Sequence, residues 1–322
     1  MSLQPVLVAP DSFKGTMSAA TVAAAIARGL RAGGREAVEL PIGDGGEGTM
    51  DALGGELHTV TVSDPLGRPA EARFSLIDAG RTGVVEMAEA SGLRLVKEAE
   101  RDAFAASTRG TGELIAAAVE AGARSVLVAV GGSATTDGGA GALEALDEAG
   151  VTDVPITVLC DVRTAWEDAP RVFGPQKGAT DARIVRRLEK RLDALAAKAP
   201  RDPRGVPMTG CAGGLSGGLW AFRGAKLVPG AAYVLDAIGF DDAMRAARFV
   251  VTGEGKLDAQ TLEGKACAEV ATRARQGGVA CHAVVGRNEL DGFRARVLDF
   301  GLVLEASDEA ELEAAGRRLA EI

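Results

Sequence analysis

Where the glycines stand constrains this chain more than any other feature. There are 43 among 322 residues, about twice ordinary usage. Nearly half fall in six clusters: Gly43/45/46/48, Gly110/112, Gly131/132/138/139/141, Gly174/178, Gly210/213/214/217/218 and Gly253/255. Most of these clusters follow an apolar run that reads as a buried strand, or precede a helical one. Flexible linkers would scatter the glycines; tight strand-to-helix turns would cluster them. Val6–Ala9 reads as a short strand, and Ser18 is placed to cap a helix whose apolar face is Val22, Ile26 and Leu30. Ala37–Ile42 reads as the next strand. This β-loop-α-β order favours a parallel sheet covered by helices.

The period then changes. Val60 and Val62 alternate with polar neighbours, Asp64–Gly67 makes a turn, and Ala70, Ala72, Phe74 and Leu76 alternate again. Thr82–Ala88 adds a third strand to this antiparallel excursion, which places the start of a second domain near residue 58. Further on, Glu113–Ala121 reads as a helix, Ser125–Val130 as a strand, Gly141–Glu148 as a helix and Ile156–Cys160 as a strand. Asp181–Lys198 is a charged amphipathic helix, and Pro200–Pro207 reads as a surface connection. The βαβ pattern returns with strand Phe249–Thr252, helix Lys265–Arg275, strand His282–Val285 and a late strand at Leu302–Glu305. The expected class is therefore α/β with two α/β domains. A Rossmann-like parallel-sheet domain is built from both chain ends (1–58 and 230–322), and a mixed α/β domain (59–229) is inserted in it.

Composition excludes several functions. The net charge is −9 and no basic run occurs, so nucleic acid is not an expected partner. Cys160, Cys211, Cys267 and Cys281 form no Cys-x-x-Cys unit, which argues against a zinc ribbon and suits reduced cysteines in a cytoplasmic protein. His58 and His282 are the only histidines, so multi-histidine metal sites are excluded. No apolar stretch approaches the roughly 20 residues that span a bilayer, and the N-terminus lacks the cationic start of a signal peptide. The expectation is a cytoplasmic monomer or homodimer acting on small molecules, with no membrane partner.

The motifs that carry chemistry sit beside the glycines. Gly131–Gly141 lies between a strand and a helix and adds Ser133, Thr135, Thr136 and Asp137. Free backbone N–H groups in such a place bind anions, although a tight turn that packs helix on strand would look the same. Gly210–Gly218 is a second, uncharged loop open to the same two readings. Neither has the dinucleotide Gly-x-Gly-x-x-Gly or the Walker spacing. Asp44-Gly45-Gly46-Glu47-Gly48-Thr49 follows the strand Ala37–Ile42 with two carboxylates, oxygen ligands that suit Mg²⁺. Asp11 and Lys14 follow the first strand. Gly253-Glu254-Gly255-Lys256-Leu257-Asp258, with Gly264-Lys265 after it, repeats the theme, and Phe173–Gly178 adds Lys177. Arg109–Gly112 reads as a cap for the helix that follows. Together these residues describe handling of a polyanion with Mg²⁺, and phosphoryl transfer to a small acceptor is the natural chemistry.

The same motifs, in order, resemble the bacterial type I glycerate kinases. They are Pro10–Gly15, Asp44–Thr49, Val85–Ala88, Gly110–Ile115, Gly131–Gly141, Phe173–Gly178, Ala212–Leu215 and Thr252–Gln260 with Gly264-Lys265. The resemblance implies ATP- and Mg²⁺-dependent phosphorylation of D-glycerate, usually at the 2-hydroxyl to give 2-phosphoglycerate. It also implies two α/β domains, one inserted in the other, with the active site in the cleft between them. Two departures stand out: Arg163-Thr164-Ala165 replace an Asn-Pro pair, and the stretch between Ala145 and Ile156 is short for the family.

Roles follow from the chemistry. The two glycine loops would cradle ATP phosphates through Gly131, Gly132, Ser133, Thr135, Gly138, Gly213 and Gly214, aided by Lys265. Asp44, Glu47 and Glu254 are the Mg²⁺ candidates. Lys14, Lys177 or Lys265 would neutralise the glycerate carboxylate or the moving phosphoryl group, and one of Asp11, Asp137 or Asp258 would orient the attacking hydroxyl. The rivals are a kinase of the same fold that yields 3-phosphoglycerate or acts on another small hydroxy acid, and a non-catalytic nucleotide- or metabolite-binding regulator. Paired carboxylates beside lysines speak against the regulator.

Overall fold

The structure is a computed structural model that describes residues 4–291 and 296–322. Among the described residues the strands are, in chain order, β1 (Val6–Pro10), β2 (Ala37–Glu39), β3 (Glu56–Ser63), β4 (Pro69–Ile77), β5 (Thr82–Glu86), β6 (Ser125–Ala129), β7 (Ile156–Cys160), β8 (Lys226–Pro229), β9 (Val250–Gly253), β10 (Cys281–Val285) and β11 (Val303–Glu305). The chain divides into two compact units, residues 1–44 with 231–322, and residues 45–230.

The first unit carries a parallel sheet in the order β11-β10-β9-β1-β2. Leu7 pairs with Val250 on one side of β1, and Val6 pairs with Ala37 on the other. The three central strands β1, β9 and β10 are buried on both faces because both faces are covered. Val6 and Val8 of β1 pack with Val22, Ile26, Leu30, Leu312 and Leu319, whereas Leu7 and Ala9 pack with Leu235, Phe240 and Val270. The first group brings in helices Ala19–Ala32 and Glu309–Ala320, and the second brings in Gly230–Ala237, Phe240–Ala246 and Ala266–Gly277. Ser18 caps its helix by accepting the Thr21 amide. The first and last helices touch through glycine: a Cβ on Gly29 would lie 2.0 Å from the Glu313 carbonyl oxygen.

The second unit is a mixed sheet in the order β3-β4-β5-β6-β7-β8. β3, β4 and β5 run antiparallel to their neighbours in that set, and β5 through β8 run parallel. Its core holds Phe74, Val85, Met87, Leu114, Ile115, Val126, Val128, Leu146, Val158, Leu215 and Leu219.

Several element boundaries differ from the sequence expectation. The chain enters the second unit at Gly45 and not near residue 58, because the Gly45 carbonyl accepts the Val130 amide at 2.8 Å while the Ile42 amide still bonds Pro10. The strand expected at 82–88 stops at Glu86, and Met87–Ser91 is helical. The helix expected from Glu113 begins at Arg109, with Gly110 and Gly112 inside it. Half of the second glycine loop is helix, since Leu215–Arg223 contains Gly217 and Gly218.

Candidate active site

In the first unit one cavity, about 340 Å³ in volume, is lined from the carboxyl ends of all five strands. Asp11, Ser12, Phe13 and Lys14 follow β1, and Asp44 lies beyond β2. Glu254, Gly255 and Lys256 follow β9, Gly286 and Arg287 follow β10, and Ser307 lies beyond β11; Lys265 completes the wall. Strand order reverses between β1 and β9, and ligands of open α/β sheets bind at such switch points.

Local bonding fixes these side chains. Phe13 is buried in the core and exchanges backbone hydrogen bonds with Met17, so the loop is pinned between Ser12 and Lys14. The Asp11 amide bonds Gly253, and its carboxylate accepts the Ser12 amide at 2.7 Å. The Gly286 amide bonds the Glu254 carbonyl and the Arg287 amide bonds Gly255, which ties the β9 and β10 loops together. Thr261 donates its hydroxyl to Glu254 Oε1 at 2.7 Å.

The cavity concentrates buried acid below basic side chains. Asp11, Asp44 and Glu254 are 3%, 0% and 6% exposed. Burial, reinforced by the Asp44 charge, holds the Asp11 carboxyl well above the usual carboxylate range against the pull of Lys14. Burial pushes Glu254 up to about 7, opposed by the Thr261 hydroxyl and Lys265. Above them, Lys14 Nζ lies 3.6 Å from Asp44, and Lys256 reaches Glu289 at 2.7 Å. Acids crowded this way are stabilised in their charged form by a cation, so the donor set fits Mg²⁺. Among the described residues no three of His, Cys, Asp or Glu converge to cage a metal. Mg²⁺ needs no cage, since it usually takes one or two carboxylates and fills its shell with water and phosphate oxygens.

The remaining expected residues are distributed differently. Asp258 caps the turn Ala259–Glu263, accepting the Gln260 amide at 2.8 Å, and lies 3.5 Å from Lys256 Nζ. Glu47 belongs to the second unit, where it lines a separate cavity with Glu86. Asp137 is fully buried there and accepts four donors: the Thr108 amide and hydroxyl at 2.8 Å each, and the Gly139 and Gly141 amides at 3.1 and 3.2 Å. A carboxylate has about four lone-pair sites, so Asp137 is saturated as a brace for the helix Ala140–Glu148.

Lys177 is also buried, donating to the Ser133 hydroxyl at 2.5 Å and the Thr135 carbonyl at 2.7 Å. Burial pulls it down to about 7, against the nearby Asp137 and Asp161 charges. The two glycine loops close on each other here. The Gly138 amide bonds the Gly213 carbonyl at 3.0 Å, and a Cβ on Gly213 would lie 2.0 Å from the Thr135 carbonyl oxygen. Gly214 packs on Gly138 and Trp166, Gly131 abuts Gly46, and Gly132 faces Glu47. Among the described residues, the Thr135 and Thr136 hydroxyls are buried without a hydrogen-bond partner.

Arg287 and Ser307 line the first unit's cavity and had no place in the sequence reading. The signal was present for Arg287, a glycine and a cation directly after an apolar strand.

Comparison with known proteins bears on this arrangement. The model of the glycerate kinase family matches residues 6–152 and 147–314. A glycerate kinase of Halalkalibacterium halodurans is 38% identical over 326 residues, covering 88% of this chain and 86% of its own. A glycerate 2-kinase of Escherichia coli K12 is 38% identical over 314 residues, covering 84% and 82%. Among solved structures, one from Salmonella typhimurium LT2, provisionally identified as glycerate kinase 2, matches with a TM-score of 0.83 at 31% identity. That match covers 99% of this chain and 98% of the other.

Proposed function

The chain belongs to the glycerate kinase family, and on that premise we propose that it transfers the γ-phosphoryl group of ATP to the 2-hydroxyl of D-glycerate, with Mg²⁺. The transfer is seated in the first unit's cavity. One observation carries this reading: Asp11, Asp44 and Glu254 lie buried together, within one cavity whose wall also holds Lys14, Lys256, Lys265 and Arg287.

Asp44 and Glu254 would hold Mg²⁺, which supplies neutralisation of phosphate charge. Lys14, Lys265 and Arg287 bind anionic oxygens and fix their orientation; phosphoryl transfer asks for positioning and charge stabilisation more than covalent chemistry. Asp11, whose carboxyl burial holds above the usual carboxylate range, is placed in the cavity to accept the proton of the acceptor hydroxyl. Asp137, Asp258 and the paired glycine loops serve to hold the scaffold in this reading.

ADP release from MgATP, measured with and without D-glycerate and followed by ³¹P NMR of the product, tests the proposal. Release that requires D-glycerate and yields 2-phosphoglycerate is expected. Release that ignores D-glycerate overturns the acceptor, and 3-phosphoglycerate as product overturns the position.

A further inference from the structure

The acids around the first unit's cavity repel one another, so each needs a tie that keeps it there. Glu254 is buried within reach of the Asp44 and Asp11 charges. A glutamate side chain rotates about several bonds, and like charges drive it toward the rotamer farthest from its neighbours. Its carboxylate is instead tied down: the Thr261 hydroxyl donates to Oε1 at 2.7 Å.

Thr261 is itself held by the capping box of the turn Ala259–Glu263. Its amide bonds the Asp258 carbonyl at 3.1 Å, and its hydroxyl oxygen accepts the Asp258 amide at 3.1 Å. That position of a capping box is ordinarily Glu or Gln, which reaches back with an acceptor. Thr does the same with a lone pair and still has its own proton to donate. A cap alone has no use for that proton. Thr261 is 0% exposed, so the proton needs a partner inside the chain, and Glu254 is that partner. The same turn leads into Lys265, which lines the cavity with Glu254.

We propose that Thr261 is a positioning residue for the phosphoryl transfer, its hydroxyl holding the Glu254 carboxylate toward the cavity. Thr261 acts through Glu254 and is not one of the residues that line the cavity. The inference rests on the reading above in which Glu254 is a Mg²⁺ ligand.

Two variants of the full chain separate this role from that of the cap. Thr261→Val keeps the shape and removes the hydroxyl. Asp258→Ala breaks the same cap from its other end and leaves Thr261 bonded to Glu254. Steady-state kinetics at varied Mg²⁺, and melting temperatures with and without Mg²⁺ alone, compare them. Thr261→Val is expected to raise the Mg²⁺ concentration for half-maximal rate about 10- to 100-fold, the usual cost of losing a partner of a metal-ligating side chain. KM for D-glycerate should stay within about threefold. The variant should also lose most of the rise in melting temperature that Mg²⁺ gives the parent. Thr261→Ser restores both, and Asp258→Ala shows the parent's Mg²⁺ dependence. Parental Mg²⁺ dependence in Thr261→Val, beside an impaired Glu254→Gln, overturns the positioning role and leaves the kinase reading standing. Equal losses in Thr261→Val and Asp258→Ala assign the effect to the turn and overturn the role as well. Glu254→Gln with the parent's rate and Mg²⁺ dependence overturns both the role of Thr261 and the Mg²⁺ role of Glu254. Should Thr261→Val not fold, Thr261→Ala removes the hydroxyl without placing a methyl against Glu254 and is read in the same way.

Discussion

Both units place glycine-rich segments at the carboxyl ends of parallel strands, and they use them in opposite ways. In the first unit the segments after β1, β9 and β10 stand around open space, and acids and cations reach into it. In the second unit the segments 131–141 and 210–218 fill each other's space: the Cβ missing from Gly218 would sit 2.1 Å from the Gly138 carbonyl oxygen. The acids differ in the same sense. Asp11 and Glu254 are pushed up by burial in a cavity, whereas Asp137 is bonded on every side. A glycine cluster after a strand thus has two physical meanings, a wall around open space or close approach of chain to chain; Gly253 and Gly286 of the first unit also meet backbone, at 2.2 Å from the Val284 and 2.4 Å from the Gly255 carbonyl oxygen, so it is the open cavity beside the loop that separates the two.

The largest expected effect breaks the comparison on the side of chemistry. Asp44→Asn should lower kcat about 10³-fold or more with the melting temperature held or raised, because one of three crowded acids is neutralised. A rate within about threefold of the parent would move the transfer out of the first unit's cavity. Steady-state kinetics beside a thermal melt read both quantities.

The next effect is on stability and belongs to the second unit. Gly213→Ala meets the Thr135 carbonyl at 2.0 Å and keeps φ at +64°, so it should cost about 3 kcal/mol or more in urea denaturation. Gly255→Ala, in the first unit's cavity wall, meets nothing nearer than the Phe13 Cα at 3.2 Å and should cost under about 1.5 kcal/mol. Equal costs would erase the distinction between a packed loop and an open one.

How stability varies with pH sharpens the contrast further. Glu254 titrates near 7 in the folded chain against an ordinary 4.5. Between those values the folded state holds a proton that the unfolded state has lost, so stability falls as pH rises from about 4.5 to 7. Lys177 titrates near 7 against an ordinary 10.5. From about 7 to 10.5 the unfolded state holds the extra proton, so stability rises with pH. Each limb is on the order of a few kcal/mol. Glu254→Gln should flatten the first and Lys177→Met the second, read as denaturant midpoints across pH. Glu86, pushed to about 7 by burial beside Glu89, Asp51 and Glu47, adds to the falling limb from the second unit and must be followed with Glu86→Gln in parallel.

Much of the fold was legible because doubly covered strands are plain apolar runs. β1, β6, β7, β9 and β10 were all found, as was the alternation of β3 and β4. Helix Glu309–Ala320 was not, although Asp308 caps it, because three of the five residues of its buried stripe, Leu312, Ala315, Gly316, Leu319 and Ala320, are small. The crossing with helix Ala19–Ala32 requires that smallness. The cavity was partly legible: Asp11, Lys14, Asp44, Glu254 and Lys265 follow strands in sequence and line one space. Arg287 and Ser307 join them only through the order β11-β10-β9-β1-β2, which spacing along the chain does not encode. Glu47 stands three residues from Asp44 yet in the other unit, because the chain changes sheet between them.

Asp258 gives the smallest expected effect and the finest test. By sequence it is one more acid after a glycine-rich strand end, indistinguishable in kind from Asp11 or Asp44. In the fold its carboxylate accepts the Gln260 amide, while its own amide is bonded by the Thr261 hydroxyl. That same hydroxyl reaches Glu254, so the cap and the cavity share one side chain. Asp258→Ala should cost about 1 kcal/mol of stability, the worth of an N-cap, with kcat within about threefold of the parent. A kcat loss approaching that of Asp44→Asn, at unchanged melting temperature, would make Asp258 a participant in the chemistry. The dividing line between catalytic and scaffolding acids would then run through the Thr261 hydroxyl and not beside it.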